Sequence, residues 1–170
     1  MAGVELQGDS LRALELERSV VDFIEEEARI LDDHQFEVWE ELWEPDGVYW
    51  LPQDIKHDDP EKKVSLVYDD RAAITRRVDR LSGRLAFALQ PAAEVSRMTG
   101  NVRIAGFADD LVVAQSRFMM VVYRREHPVV YGGRVEHHLR ERPGQGYGMV
   151  FKRVDLVGAG ASFENFTVVF

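Results

Sequence analysis

Five histidines and no cysteine bound the chemistry open to this chain of 170 residues. Without a thiol there is no nucleophilic cysteine, no thiolate zinc site and no all-cysteine iron–sulfur cluster. A cluster held by two Cys and two His is excluded on the same ground. A mononuclear iron site needs two His and a carboxylate converging on one open face. His34, His57, His127, His137 and His138 include no pair at helical i,i+4 spacing. Adjacent His137 and His138 project to opposite sides of an extended strand and do not readily grip one ion. No metal site is expected in this chain.

His137 is the sharper candidate, because it falls on the apolar face of its strand, with Asp155 on the adjoining one. A buried His beside a carboxylate is a general base for isomerase or dehydratase chemistry inside a cavity. It equally reads as a hydrogen-bonded core histidine, since buried polar groups are normally satisfied. His57-Asp58-Asp59 reads as a solvated loop. Arg76, Arg80 and Arg84 form a column at i,i+4 spacing. Like charges so placed repel modestly, so acidic partners are expected nearby, within the chain or on another subunit. Trp39, Trp43, Tyr49 and Trp50 are mostly core, but Tyr49 and Trp50 alternate faces. At least one of that pair is expected at the surface, where large aromatics favour protein interfaces. The glycines of 144–146 and 158–160 are flanked by strands, so they are turns and not nucleotide loops. No serine sits in a nucleophile elbow.

The elements that position these residues are legible in outline. Residues 1–17 read as an N-terminal arm, and 18–170 as a single domain. Val20, Ile24, Ala28 and Leu31 recur at helical spacing, with Glu25, Glu26 and Arg29 facing solvent, until Asp32-Asp33 breaks the pattern. Phe36, Trp39, Leu42 and Trp43 define a second short helix, ended by Pro45 and the turn Asp46-Gly47. Val48 to Leu51 is a strand limited by Pro52. Residues 53–68 read as a loop into a third helix, capped by Asp69 or Asp70 and carrying Ile74, Val78, Leu81 and Leu85.

From about Ser96 the texture is that of strands. Residues 111–124 are β-branched and aromatic-rich. Residues 129–141 alternate, with Val129, Tyr131, Val135, His137 and Leu139 on one face. Gly132-Gly133 suggests a bulge or sharp bend there. Pro143-Gly144 turns the chain into a strand over 147–157, and a last strand covers Asn165–Phe170. Helices first and a curved antiparallel sheet after them is an α+β pattern.

Charge and composition narrow the partners. Thirty acidic against 21 basic side chains give a net charge of -9, which disfavours a phosphate-binding surface and hence nucleic acid. No run approaches the roughly 18 apolar residues of a membrane helix. The opening MAGVELQGDS has neither the basic start nor the apolar core of a signal peptide, so the expected location is cytoplasmic.

The stretch EEARILDDHQFEVWEELWEPDGVYWLP resembles the pattern E-A-x-L-L-D-x-x-x-F-x-x-W … D-x-x-Y-W-x-P of the small (β) subunit of aromatic-ring-hydroxylating dioxygenases. Similar too are the arginine-rich DDRAAITRRVDRLSG, Ser96 with Asn101-Val102, Tyr131-Gly132-Gly133-Arg134, and Asn165 to Phe170. The chain departs from the pattern at Thr99 and Gly100, at His137-His138 after Glu136, and at Tyr147, near a usual tryptophan. The resemblance implies a cone-shaped, curved antiparallel or mixed sheet wrapped by N-terminal helices, the nuclear transport factor 2-like or cystatin-like fold. It implies that a larger α subunit carries a Rieske 2Fe–2S cluster and a mononuclear iron, while this subunit holds no cofactor. It further implies a trimer of this chain within an α3β3 hexamer, served by a ferredoxin and a reductase. The expected function is therefore that of a non-catalytic β subunit in a dioxygenase that forms cis-dihydrodiols from aromatic rings. Tyr49, Trp50, Arg76, Arg80 and Arg84 are its candidate interface residues. The rival is a stand-alone cavity isomerase, dehydratase or ligand-binding protein that uses His137 and Asp155.

Overall fold

The computed structural model of the chain describes residues 2–83, 92–158 and 168–170, with side chains from residue 10 onward. Helix α1 spans Ala2–Asp32. Its C-terminal half buries Val20, Ile24, Glu27, Ala28 and Leu31 along one stripe. The helix starts well upstream of the residues whose periodicity predicts it, so the segment expected as a loose arm is helical from Ala2. Leu11 and Leu14 there are 60% and 61% exposed, which is why no amphipathic pattern marks the segment. After Asp32 the chain turns through His34, whose φ of +56° is left-handed.

Helix α2 spans Phe36–Glu41, and strand β1 spans Trp43–Pro52. The second helix therefore stops before Leu42 and Trp43, which were expected to extend it. Met149 N–H donates to the Leu42 carbonyl at 2.7 Å, and Trp43 pairs with Met149. Pairing then resumes only at Val48, opposite Phe151, so the ladder is interrupted around Pro45 and Gly47. Pro45, which has no N–H to give, sits where no ladder bond is required of it.

Strand β2, Ser65–Asp70, occupies part of the stretch expected as loop and pairs antiparallel with β1. Only Val67 in it is fully buried, so its sequence lacks a readable alternation. Helix α3, Arg71–Ser82, is capped as expected, with the Asp70 carboxylate accepting from Ala73 N–H at 2.7 Å. Ile74 and Val78 face inward. Leu85 lies outside the described residues.

Strands β3 (Glu94–Ala108), β4 (Leu111–Arg124), β5 (His127–Arg142) and β6 (Gly146–Leu156) form an antiparallel meander. The six-stranded order is β2-β1-β6-β5-β4-β3, and β1 lies parallel to β6, so the sheet is mixed. Arg125 and Glu126 both have positive φ and make a two-residue hairpin turn between β4 and β5. The β4–β5 ladder runs unbroken through Gly132-Gly133, so the expected bulge is absent there. Gly133 answers a different need: a Cβ on it would meet the Asp155 carbonyl and stand 2.9 Å from Phe118. The irregularity of β5 falls instead between His138 and Leu139, against β6.

Residues 165–167 of the expected last strand lie outside the described residues, and Val168–Phe170 are not strand. Phe170 is nonetheless core: its N–H donates to the Tyr49 hydroxyl at 3.1 Å, and Tyr131 meets its ring edge-on at 5.1 Å. Helices cover one face of the sheet, where even-numbered β4 residues such as Ala114, Phe118 and Met120 are buried. Each fully buried large apolar side chain contributes about 1.5–3 kcal/mol. Odd-numbered residues of β4 from Arg117 to Tyr123 face outward on the other side.

Candidate functional site

The chemistry-bearing residues fall into two places, one inside and one on the open sheet face. Inside, α1 presents Glu27 to the sheet, where β5 supplies His137 and β6 supplies Lys152, directly opposite in the ladder. Lys152 Nζ donates to Glu27 Oε1 at 2.7 Å, and Trp39 Nε1 donates to the same oxygen at 2.9 Å. His137 Nε2 lies 2.9 Å from Glu27 Oε2. An ionised carboxylate can only accept, so Nε2 carries the proton and Nδ1 is an acceptor. His137 Nδ1 has no hydrogen-bond partner among the described residues.

Glu27, His137 and Lys152 are each no more than 3% exposed. Burial opposes charge on Glu27, but Lys152 and His137 outweigh it and hold the carboxyl well below its ordinary range. Burial lowers His137, with Glu27 resisting, and so favours the neutral imidazole. Burial likewise lowers Lys152 against the pull of Glu27. The cluster is an internal ion pair with a neutral histidine attached, whose Nδ1 is left without a partner among the described residues. Its chemistry is structural: it pins the helix to the sheet.

The structure does not bring His137 and Asp155 together. Asp155 lies opposite Arg134 in the β5–β6 ladder and accepts from Arg153 at 2.8 Å, whereas His137 lies opposite Lys152. An offset of three residues along β6 puts Asp155 on the other sheet face. The space beside His137 is about 20 Å³, bounded by Thr99, Ser116 and Phe118 among others. That is room for about one water, and far below the roughly 300 Å³ at which ligand pockets begin. Among the described residues, this space is too small for a ring substrate beside His137.

Sequence reading missed Glu27 and Lys152, although each left a signal. Glu27 lies in the Val20, Ile24, Leu31 stripe, and Lys152 shares the alternation of Val154 and Leu156. A charge at a position whose neighbours in the pattern are all apolar marks a buried pair.

The surface candidates divide differently. Tyr49 and Trp50 are 1% and 3% exposed, so neither is available to a partner. Trp50 faces away from Tyr49 but is covered: its indole N–H donates to Ser65 Oγ at 2.8 Å, and the Arg153 guanidinium lies 4.5 Å over its ring. Arg76 and Arg80 are exposed on α3 and make no ion pair among the described residues. It is Arg71 and Arg77 that find internal carboxylates, Glu40 at 2.8 Å and Asp69 at 2.6 Å. Arg84 lies outside the described residues.

The open sheet face carries a cluster of exposed apolar side chains. Met98 (78%), Met119 (62%), Val121 (44%), Tyr123 (43%) and Val130 (60%) are joined by register, with Met98 opposite Met119 and Val121 opposite Val130. Beside them lies a polar groove of about 530 Å³ that includes Arg103, Arg117, Arg134 and Arg153. Among the described residues, no group of three or more His, Cys, Asp or Glu side chains is arranged to hold a metal ion. No helix among them is long and apolar enough to cross a membrane.

The family model described as ring hydroxylating beta subunit matches residues 26–159. The 2-halobenzoate 1,2-dioxygenase small subunit of Burkholderia cepacia is 36% identical over 110 residues, 62% of this chain and 67% of that one. The toluate 1,2-dioxygenase subunit beta of Pseudomonas putida is 31% identical over 111 residues, 62% and 68% of the two chains. The solved beta subunit of benzoate 1,2-dioxygenase from Burkholderia mallei superposes with a TM-score of 0.68 at 25% identity, covering 82% of this chain and 89% of that one. A nuclear-transport-factor-2-like protein with a cystatin-like fold from Novosphingobium aromaticivorans shares the fold, with a TM-score of 0.57 at 19% identity over 89% and 88% of the chains. With 134 consecutive residues matched by its model, this chain belongs to the ring-hydroxylating beta-subunit family.

Proposed function

We propose that this chain is the non-catalytic β subunit of a multicomponent aromatic-ring dioxygenase, working in the cytoplasm to assemble and hold the catalytic α subunits. The observation that carries the reading is the open sheet face. Five apolar side chains stand there in one continuous patch, each at least 43% exposed, while the space beside buried His137 is only about 20 Å³. Apolar patches of this kind on a soluble domain mark protein interaction surfaces. Arg76 and Arg80, exposed and without an ion pair among the described residues, supply a second, charged contact area.

In this reading the α subunit carries the Rieske 2Fe–2S cluster, for which this chain has no cysteine to contribute, and the mononuclear iron as well. The holoenzyme adds both atoms of O2 to an aromatic ring, with electrons from NAD(P)H passed through a reductase and a ferredoxin, and its stoichiometry is α3β3. The relatives are subunits of dioxygenases named for 2-halobenzoate and toluate, so single-ring aromatic carboxylates are the first substrates to try.

The test is to purify the tagged chain from its native source and record the visible spectrum and iron content of the eluate. The expected result is a coloured complex containing iron and a larger subunit, with no turnover by the chain alone. A colourless, iron-free chain that transforms or binds a small ring compound by itself would overturn the reading.

A further inference from the structure

Thr99 on β3, Ser116 on β4 and His137 on β5 form one diagonal across the covered face of the sheet. Ala114 stands directly opposite His137, and Val135 opposite Ser116, so His137 and Ser116 are diagonal neighbours. Phe118 stands opposite Thr99, which makes Thr99 and Ser116 diagonal neighbours in turn. All three side chains, with Lys152, line the same internal space of about 20 Å³.

The polar atoms around that space divide into engaged and free. Glu27 accepts from Lys152, Trp39 and His137, and Arg97 donates to Asp32 at 2.6 Å and to the Val169 carbonyl at 3.2 Å. His137 is 1% exposed, and its Nδ1, an acceptor, has no donor. Ser116 is 4% exposed, and neither its hydroxyl nor that of Thr99 makes a hydrogen bond among the described residues. Lys152 Nζ carries three N–H groups and gives one of them to Glu27 at 2.7 Å.

Buried acceptors and hydroxyls are normally satisfied by protein or by an ordered water. Diagonal neighbours on a sheet stand about 7 Å apart, and two hydrogen bonds of about 2.8 Å in series span most of that separation. One water needs about 10–15 Å³ of such space and two to four polar partners, and both conditions are met beside His137. The Lys152 ammonium disfavours a cation there, and the volume admits nothing larger than a single water.

Independently of the β-subunit reading, we propose that this space is a binding site for one structural water, which donates to His137 Nδ1 and is held on its other side by the Ser116 hydroxyl. Lys152, directly opposite His137 in the ladder, has the donor for a third bond. The water completes the clamp between α1 and the sheet. With Nδ1 occupied as an acceptor, the ring keeps its proton on Nε2, where Glu27 takes it as a hydrogen bond.

A crystal structure of the full-length chain, alone or within its complex, at a resolution that orders internal waters tests the site directly. The expected result is one water within about 2.7–3.2 Å of both His137 Nδ1 and Ser116 Oγ. S116V, which removes the hydroxyl and fills the space, should lose that water, and oxygen-17 relaxation dispersion should count one long-lived water fewer than in wild type. The wild-type density decides alone if the variant does not fold. A wild-type map without a water there, a side chain donating to Nδ1 in its place, or S116V retaining the water would each overturn the proposal. No catalytic subunit takes part in the measurement, so neither outcome bears on the β-subunit reading.

Discussion

Glu27 on α1 and Lys152 on β6 stand 125 positions apart in sequence and 2.7 Å apart in space, each 3% exposed. The pair bolts the first helix to the last described strand, and Trp39 and His137 complete the coordination of the same carboxylate. Removing one partner of such a buried pair leaves a charge without compensation, which costs more than the pair contributes. Glu27→Gln is therefore expected to lower the unfolding free energy by about 3–5 kcal/mol in urea titrations. Adding Lys152→Met to that variant should recover much of the loss, because the second charge is then gone. A single variant that loses less than about 1 kcal/mol would show that Lys152 escapes to water.

Acid should unfold the chain in two stages. His137 is lowered from its ordinary 6.5, mainly by burial, so the unfolded chain binds its proton first. Stability then falls as pH drops below about 6.5. Glu27 is lowered from 4.5, so its contribution is complete above that value and is lost as pH falls further. Melting temperatures measured from pH 8 to pH 4, the range of the upper stage, should show that stage in wild type and not in His137→Gln. An identical profile in both would locate the acid sensitivity elsewhere.

The two adjacent glycines of β5 should respond differently to alanine. A Cβ at Gly133 would collide with the Asp155 carbonyl and approach Phe118 to 2.9 Å, whereas one at Gly132 would meet its nearest neighbour at 3.5 Å. Gly133→Ala is expected to cost about 1–3 kcal/mol through forced displacement of the β6 backbone. Gly132→Ala should be close to neutral. Differential scanning calorimetry of the two variants checks the order.

Arg80 is exposed on α3 and has no ion pair among the described residues, so its charge contributes little to the isolated fold. Arg80→Glu should leave the melting temperature of the isolated chain within about 1–2 °C of wild type, as exposed substitutions usually do. It should nevertheless weaken co-assembly with the catalytic subunit, read by size-exclusion chromatography at low and high salt. Unchanged assembly at both ionic strengths would remove α3 from the interface.

What the sequence determined by itself were the features that depend on near neighbours. The apolar stripe of α1, a cap of α3 at Asp69 or Asp70, the β-branched run of β4 and the period-two pattern of β5 all follow from local sequence, and the structure keeps each of them, with Asp70 as the cap. The burial of His137 was legible for the same reason, and the stretch 26–52 was legible through its resemblance to the family's pattern. Features that depend on partners distant in the chain were not legible. Strand β2 exists because β1 offers it an edge, and its own residues show no alternation to announce it. Trp43 joins a strand, and not the helix that its spacing suggested, because Met149 pairs with it across the sheet. His137 takes Glu27 as its partner in place of Asp155, because the β5–β6 register sets Lys152 opposite His137 and turns Asp155 to the outer face. Register is decided by the summed burial of many side chains at once, and a one-residue slip would exchange inside for outside. No single residue encodes it, so the site and the open face became visible only in the assembled sheet.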